Sequence, residues 1–428
     1  MAVKGTEVNY SSLSELSVDA ASPGYKLTEA GVVPEDWEIS TVGVEFSVQL
    51  GKMLDAEKNI GTSKPFLGNR AVQWGRVDPT CIGQIKLTAR DLQRYRLRDG
   101  DLLVCEGGEV GRAAIWRNEL DECYYQKALH RLRSKRGYSP ALMLNVLRKH
   151  AASGVLQNFV TQTSIAHLPK DKFEEVPIPL PGKVEQEAIA ETLSDADTLI
   201  ESLEQLIAKK RQIKQGTMQA LLTGKQRLPG FNDEWQRCHL ADLVAFHKGK
   251  GLPKSALDAF ALTPCIHYGE LFTQYAETIR EVISYTGQFA DALFSCVQDV
   301  LMPTSDVTPT GLAKASCVMM KGVVLGGDIL VIRPDTTRLY GPFLSYVIRY
   351  SKHQILQLVT GSTVFHIYAS DMKKFTIAVP SVKEQEQIIR VLDDMDSELA
   401  ELETRLAKTR QLKQGMMQEL LTGRIRLV

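Results

Sequence analysis

The 428-residue chain lacks an excess of either charge: lysine and arginine total 51, and aspartate and glutamate also total 51. A chain without net positive charge has no general attraction to polyanions. This lowers the expectation of nucleic-acid binding but does not exclude it, because partners can neutralise phosphates instead. The sequence also lacks an apolar run of the ~18 residues that a membrane span requires. Its first residues lack the basic start and apolar core of a signal peptide.

The cysteines form no pattern associated with metal binding or disulfide bonding. They are Cys81, Cys105, Cys123, Cys238, Cys265, Cys296 and Cys317. None belongs to a CxxC pair, and no cysteine and histidine cluster has the spacing of a zinc site. An odd number of cysteines in a chain without a signal peptide favours reduced thiols. The sequence therefore predicts no metal site and a cytoplasmic location.

A long internal repeat dominates what is present. Gly182–Gly224 and Ser381–Gly423 align at a shift of 199 residues, and from Glu185 and Glu384 onward about 22 of 40 positions are identical. A repeat of this length should be recognised before any local motif is interpreted. It organises the chain as a globular block followed by a long helix, twice.

Apolar residues in both copies alternate at spacings of four and three, which predicts amphipathic helices with a coiled-coil stripe. The stripe residues are Ile189, Leu193, Ala196, Ile200, Leu203 and Ile207 in one copy, and Ile388, Leu392, Met395, Leu399, Leu402 and Leu406 in the other. Ser381 and Glu384 have the form of a capping box, and Gly224 and Gly423 suit the position after a helix end. Each helix of ~40 residues would span roughly 60 Å. We predict an antiparallel coiled coil about an approximate two-fold axis.

The predicted fold class is α+β, with two similar mixed α/β domains separated by the two long helices. The predicted divisions are an N-terminal extension (1–24), a first domain (25–181), a central helix (182–224), a second domain (225–380) and a C-terminal helix (381–428). Trp37 and Trp235 lie 198 positions apart at the domain entrances and are predicted core anchors rather than ligand contacts. The domain centres differ in sequence, which favours two modules of one kind that recognise different things.

A glycine inside each long helix does not suit a simple spacer, because it costs about 1 kcal/mol relative to alanine. Glycine permits close approach by another backbone. We therefore hypothesise that a partner protein's helices pack on this part of the long helices. The predicted partner-binding residues are Gly216, Met218, Leu221, Gly415, Met417 and Leu420.

The sequence resembles the specificity subunit of a type I restriction–modification system. The resemblance covers nearly the whole chain, apart from the first twenty or so residues. It is carried by TEAGVVPEDWE, QWGRVD (Gln73 to Asp78), GDLLVCEGGEVGR, YYQKALHRLR (Tyr124 to Arg133) and, most specifically, the paired KQGxMQxLLTG helix ends.

This resemblance implies that each domain is a target-recognition domain that reads one half of a split double-stranded DNA target. The helices would set a gap of fixed length and recruit two modification (methyltransferase) subunits, and two restriction subunits would complete the complex. S-adenosylmethionine, ATP and Mg would be bound by those partners, with no cofactor on this chain. The chain would have no catalytic residues of its own.

Candidate DNA-contacting residues follow from side-chain chemistry, since arginine suits guanine edges and phosphates and glutamine suits adenine edges. In the first domain they are Arg70, Gln73, Arg76, Arg94, Glu106, Arg112, Gln126, Lys127, Ser164 and His167. In the second domain they are Lys250, Thr304, Thr308, Lys314, Thr363 and His366. For each of them a solvated or structural role is the alternative. The glycine-rich segment Glu106–Arg112 lacks the GK[ST] ending of a nucleotide-binding loop, so we predict a hairpin tip there.

Two other activities lack their motifs. A methyltransferase acting alone would need an (N/D)PP(Y/F) motif and a glycine-rich cofactor loop, and Gly326-Gly327-Asp328 is too short to be that loop. A nuclease would need a PD…(D/E)xK set, and no convincing set is present. The remaining alternative is a non-catalytic scaffold of two ligand-binding modules that does not bind DNA.

Overall fold

The computed structural model describes residues 23–55, 57, 59–162, 166–288 and 290–427. The predicted N-terminal extension lies almost entirely outside the described residues. The chain divides into two compact units. The first unit combines the described residues up to Glu204 with those from Thr404 onward, and the second unit is Gln205–Glu403. Each unit therefore holds one mixed domain together with part of each long helix. The domain boundaries predicted above stay predictions.

The secondary structure of both units alternates short strands with short helices before each long helix. The α-helices are α1 (Val42–Glu45), α2 (Ala89–Tyr95), α3 (Pro140–Ala152), α4 (Lys170–Glu174), α5 (Lys183–Leu222), α6 (Glu270–Thr273), α7 (Gly341–Tyr350), α8 (Lys352–Leu356), α9 (Ala369–Met372) and α10 (Val382–Leu420). The strands of the first unit are β1 (Tyr25–Thr28), β2 (Gly31–Pro34), β3 (Glu38–Thr41), β4 (Phe46–Leu50), β5 (Thr62–Leu67), β6 (Val72–Gln73), β7 (Arg76–Val77), β8 (Gly83–Leu87), β9 (Leu102–Cys105), β10 (Ala113–Ile115), β11 (Tyr124–Tyr125), β12 (Leu129–Ser134), β13 (Thr161–Gln162), β14 (Ala166–His167) and β15 (Pro177–Leu180). The strands of the second unit are β16 (Gln236–His239), β17 (Val244–Lys248), β18 (Thr263–Ile266), β19 (Thr278–Ile279), β20 (Ser284–Thr286), β21 (Leu293–Phe294), β22 (Asp299–Pro303), β23 (Ser305–Asp306), β24 (Ser316–Val318), β25 (Val324–Leu325), β26 (Ile329–Pro334), β27 (Phe365–His366) and β28 (Thr376–Val379).

The two domains share a sheet topology that their diverged central sequences do not reveal. The main sheet of the first unit has the antiparallel order β4-β12-β9-β10, and the second unit repeats it as β17-β26-β22-β24, with β19 added at the edge. The smaller sheet is β11-β5-β8 in the first unit and β25-β18-β20 in the second, with β21 added. In both smaller sheets the first pair is parallel and the second antiparallel. The repeat therefore includes the domain centres.

The long helices complete the core of each domain. In the first unit, Ile189 and Leu193 at the start of α5 and Leu420 at the end of α10 join the buried cluster of the main sheet and α3. In the second unit, Leu221 at the end of α5 and Ile388 at the start of α10 occupy the corresponding cluster. Because each stripe has a domain to bury it, the amphipathic pattern needs no further partner at these ends.

Within each unit the two helix segments run antiparallel, and their charged contacts repeat. In the first unit Asp197 pairs with Lys413, and Glu204 pairs with Arg410 at 2.5 Å. In the second unit the equivalent residues form the same two contacts: Asp396 pairs with Lys214, and Glu403 pairs with Arg211 at 2.6 Å. With the paired sheets, these contacts confirm the predicted fold class of two similar mixed domains, two long antiparallel helices and an internal repeat.

The predicted capping box at the start of α10 forms only in part. The Ser381 hydroxyl accepts a hydrogen bond from the Glu384 amide at 3.4 Å. The Glu384 carboxylate, however, turns to the domain: it accepts a hydrogen bond from the Trp235 indole at 3.3 Å and two from the Arg227 guanidinium at 2.6 and 2.8 Å. A buried carboxylate is better satisfied by a cation and an indole than by one backbone amide, which explains the difference.

The first unit has the same junction. Glu185 accepts a hydrogen bond from the Trp37 indole at 3.0 Å and two from Arg426 at 2.6 and 2.9 Å. Trp37 is 1% exposed, so its prediction as a core anchor is confirmed, whereas Trp235 is half-buried. Gly224 and Gly423 follow the helix ends with φ of +67° and +66°, the left-handed conformation expected after a helix terminus. None of the helices in the described part of the chain combines the length and apolar character that a bilayer span needs.

Candidate nucleic-acid interface

A hairpin tip at one end of the first unit's main sheet forms the centre of the candidate interface. β9 and β10 pair antiparallel and are joined by residues 106–112, as predicted. The Asn69 amide donates a hydrogen bond to the Gly107 carbonyl at 2.8 Å. The Arg112 guanidinium donates to the Asn69 carbonyl at 2.9 Å and pairs with Glu109 at 3.1 Å. These bonds fix the tip against the segment that starts at Asn69.

That segment is a second, smaller hairpin, β6–β7, and it carries three predicted DNA contacts. Gln73 and Arg76 face each other across it, and the Gln73 amide donates to the Arg70 carbonyl at 2.8 Å. Arg70 and Arg76 are exposed. The indole of Trp74 donates to Glu109 at 2.6 Å, which ties this hairpin to the first tip. Two exposed guanidinium groups and one amide therefore lie on a surface that is held by these hydrogen bonds.

Glu106, Gln126, Lys127 and His167 meet beside the same tip. The Glu106 amide donates a hydrogen bond at 2.9 Å to the carbonyl of Ala128, which follows Lys127 in the chain. Gly107 forms a β-bridge with His167. Burial raises the pKa of Glu106, while the charges of Lys127 and His167 act in the opposite direction. Lys127 and His167 are exposed, and Gln126 is half-buried. The surface is thus a mixed set of donors and acceptors around one partly buried carboxylate.

Three predicted residues of the first domain differ from this group. The Arg112 side chain is only 16% exposed and is committed to Asn69 and Glu109, so its present contacts position the loops. Arg94 lies on α2, where its guanidinium stacks over the Tyr95 ring at 5.4 Å. Ser164 falls outside the described residues.

The second unit places its predicted residues at the equivalent end of its main sheet. The segment after β22 begins at Thr304, whose carbonyl accepts a hydrogen bond from the Ile367 amide at 3.1 Å. Ser305 pairs with His366 in β23–β27, in the same way that Gly107 meets His167. Asp306 accepts a hydrogen bond from the Thr308 hydroxyl at 2.7 Å.

The remaining predicted residues of this domain border that segment. Lys314 donates to the Phe272 carbonyl and lies 5.9 Å from its ring, so this amine is already held by the domain. His366 stacks on Tyr368 at 6.0 Å between ring centres. Thr363 and Lys250 are exposed. The second surface therefore offers hydroxyls and the exposed Lys250 where the first offers arginine and glutamine.

The described residues contain no group of three or more histidine, cysteine, aspartate or glutamate side chains suited to hold a metal ion. The chemistry of both surfaces is hydrogen bonding and charge. Arginine and glutamine can each form paired bonds to the major-groove edges of guanine and adenine, and hydroxyls can bond to several bases or to phosphate.

A comparison with protein families matches the type I restriction modification DNA specificity domain twice, at residues 34–213 and 232–414. These two matches cover most of the chain and correspond to its two repeats. The chain belongs to the type I restriction–modification DNA specificity family. The family predicted from the sequence is therefore confirmed, and so is its general role in DNA specificity.

Similar proteins include two from Methanocaldococcus jannaschii. A protein assigned as the specificity subunit of the type I restriction enzyme MjaX is 23% identical over 94% of this chain and 97% of its own length. The specificity subunit of the type I restriction enzyme MjaVIII is 22% identical over 92% of this chain and 94% of its own length. Among solved structures, the S subunit of a type I restriction–modification system from M. genitalium has a similar fold, with a TM-score of 0.57 and 15% identity. The match covers 90% of this chain and 96% of that one.

Sequence reasoning missed two ion pairs with buried carboxylates, which lie at the ends of β9 and β22 opposite the two candidate surfaces. Asp101, at the start of β9, takes two bonds from Arg133 of β12 at 2.5 and 2.8 Å. Asp299, at the start of β22, takes two bonds from Arg333 of β26, both at 2.8 Å. The sequence contained an indication of these pairs, because the aspartates and the arginines both recur at nearly the spacing of the internal repeat. The pairing itself required knowledge of which strands are neighbours.

The residues predicted to bind a partner differ in accessibility: the two glycines have free space beside them, whereas the two leucines are buried. A Cβ atom at Gly216 or Gly415 would meet no atom within 4 Å. Leu221 and Leu420 are 3% and 4% exposed and lie in the cores of their own units, where they support the surface from beneath. Met218 and Met417 are half-buried against the same cores. The assignment of these residues to partner binding stays a prediction.

Proposed function

We propose that each domain of this specificity subunit reads one half of a split double-stranded DNA target. The observation that carries the proposal is the repeated strand frame with unlike loops at the same end. Arg70, Gln73 and Arg76 occupy that end in the first unit, and Thr304 and Thr308 occupy it in the second. A shared frame preserves the position of the loops, while different donors and acceptors would select different bases.

We further propose a division of labour within a larger complex in the cytoplasm. This chain supplies sequence recognition and has no catalytic residues. Two modification subunits would dock on the glycine-containing surfaces of the long helices and methylate adenine with S-adenosylmethionine. Two restriction subunits would add ATP- and Mg-dependent cleavage. The equivalent surfaces at Gly216 and Gly415 support two identical partners, because a repeated surface fits a repeated subunit.

The test uses the chain assembled with modification subunits from the same source. Methylated adenines mapped in the source genome would give the target, and gel shifts would then compare this target with random duplexes. We expect a split target and clear preference for it over random DNA. Equal binding to all duplexes, with no methylation pattern that depends on this chain, would instead favour the non-DNA scaffold.

A further inference from the structure

The segment between β17 and β18, residues 249–262, carries two apolar side chains. The proposed hydrogen bonds and charge contacts to DNA bases and phosphates do not use them. Phe260 is 94% exposed and Leu262 is 92% exposed. They have the highest exposures among the large apolar side chains of the described residues, ahead of Val184 at 75%. Single exposed apolar residues are common on protein surfaces. Two within three residues that both project almost completely into solvent are not explained in that way.

The segment is held in place rather than loosely attached. Leu252 has a φ of +61°, a strained conformation for a leucine, yet its side chain is 6% exposed in a small buried cluster with Ala256 and Cys265. The Thr286 hydroxyl, itself fully buried, donates to the Ala256 carbonyl at 2.7 Å. Backbone strain persists only where the surroundings impose it. The first part of the segment, residues 252–256, is therefore held in a defined conformation against the domain.

The tip is a tight turn braced by one acidic residue. The Asp258 carboxylate accepts a hydrogen bond from the Phe260 amide at 2.9 Å. The Asp258 carbonyl accepts one from the Ala261 amide at 3.2 Å, and its amide donates to the Tyr285 carbonyl at 2.9 Å. The turn is thus anchored to β20, and Phe260 projects from its apex.

The base of the segment is basic and begins at the candidate interface. Lys248, Lys250 and Lys254 are all exposed, and the ion pairs of the described residues include none of the three. The amide of Gly327 donates a hydrogen bond to the Gly251 carbonyl at 2.7 Å. The carbonyl of Asp328, which follows Gly327, accepts a hydrogen bond from the Thr304 amide at 2.9 Å. Three exposed lysines precede the apolar tip in the chain, and this positive charge complements a polyanion.

We propose that Phe260 and Leu262 form an apolar wedge that enters a base step of the DNA beside the half-site of the second domain. This inference rests on the proposed function. Apolar side chains at the tip of a protein element partly unstack a base step and kink the duplex, and exposed aromatic side chains stack on bases. A duplex also accounts for the lysines, which would neutralise the flanking phosphates.

The test uses the complex with its modification subunits and duplexes of the mapped target that contain 2-aminopurine at successive positions beside the second half-site. Wild-type complex should raise the 2-aminopurine fluorescence several-fold at one step. Phe260→Ala should abolish the rise and weaken binding about tenfold, while the slope of affinity against salt stays unchanged because no phosphate contact is lost. Phe260→Trp should restore both signals. Leu27→Ala, at a residue of the first unit that is 68% exposed, is the matched control and should behave as wild type.

The wedge is wrong if preference for the target persists while every 2-aminopurine position stays silent, or if Phe260→Ala matches wild type. It is also wrong if Phe260→Ala causes loss of the modification subunits, since Phe260 would then contact protein. Absence of any target preference in the wild-type complex would contradict the proposed function itself, and the wedge with it.

Discussion

At the residue scale, the charged residues of each unit differ in whether the fold already pairs them. Asp101 and Asp299 are 2% and 0% exposed, and each is satisfied by two bonds from one arginine. A carboxylate buried without such a partner would cost several kcal/mol. Arg76, by contrast, is exposed at the candidate interface. The arginines that pair with Asp101 and Asp299 and the exposed Arg76 carry the same charge. Only their contacts in the structure show that the first two are held by the fold.

The junction between the second domain and α10 gives a stability prediction. Glu384→Ala should lower the free energy of unfolding by about 2–3 kcal/mol, because Trp235 and Arg227 both lose their acceptor. Urea denaturation of the purified chain is the measurement. Glu386→Ala, at an exposed position of the same helix, should change it by less than about 0.5 kcal/mol. Equal effects of the two substitutions would show that the junction does not contribute in this way.

Two buried histidines predict a dependence of stability on pH. Burial lowers the pKa of His130 and His150 to about 4, below the ordinary value of about 6.5. The unfolded chain therefore binds more protons between these pH values. The stability contributed by the neutral rings is complete above about pH 6.5 and is lost as the pH falls toward 4.

Variants at these positions test that prediction. His150→Gln retains a donor for the Pro177 carbonyl, which His150 meets at 2.9 Å, and removes the titrating group. We expect this variant to lose less stability than wild type between pH 7 and pH 5 in matched denaturation curves. His353→Gln, at an exposed histidine, should follow the wild-type curve. Parallel curves for wild type and His150→Gln would contradict the prediction.

At the scale of elements, the long helices follow closely from local sequence. Glycines in the left-handed conformation end both helices, and the stripe residues Ile189, Leu193, Ile388 and Leu392 are fully buried or nearly so. The capping box at Ser381 was predicted less well, because the tertiary contacts of Glu384 outweigh a local bond. The two internal glycines lie open on the helix surface, which favours close approach by a partner.

Replacing these glycines tests the partner surface. Gly216→Leu and Gly415→Leu should fold normally, since a Cβ atom at either position would meet open space and each helix gains up to about 1 kcal/mol of propensity. Co-purification with the modification subunits should nevertheless weaken, because a partner backbone could no longer approach. Ser194→Leu, at an exposed position of α5, is the control for a larger helix side chain. Unchanged co-purification of both glycine variants would remove the argument.

At the scale of the whole molecule, the repeat supplies two similar readers from one chain. The sequence showed the repeat at the helices and at the domain entrances and exits, while the centres matched poorly. The shared strand order shows that the centres are repeats as well. Their loops diverged without loss of the frame, because sheet pairing uses backbone groups and tolerates different side chains.

Independent reading of the half-sites is the first consequence of this architecture. Arg76→Ala should cost about 1–3 kcal/mol and relax selection in one half of the target if Arg76 contacts a base, or weaken all duplexes alike if it contacts phosphate. Thr308→Ala should affect only the other half. Binding to libraries randomised in one half-site at a time would measure both effects. A change in both half-sites from one substitution would contradict independent reading.

Helix length is expected to set the gap between the half-sites. Adding one helical turn, about four residues or ~6 Å, at equivalent points of α5 and α10 should lengthen the preferred gap by one or two base pairs. Mapped methylation in cells that carry the altered chain is the measurement. A change in the bases recognised, with the gap unchanged, would show that the helices do not act as a ruler.

The sequence alone determined the long helices, the repeat, the fold class and the family. Helix formation depends on spacings of three and four residues, and a repeat is visible by alignment, so neither requires knowledge of distant contacts. The tertiary structure decided which polar residues are free. Arg70 and Arg112 are alike in sequence terms, yet the Arg112 side chain is held by Asn69, 43 positions away, and Arg70 is exposed. Such pairings arise only when the strands meet, because local pattern specifies which face a residue occupies but not which distant residue lies opposite it.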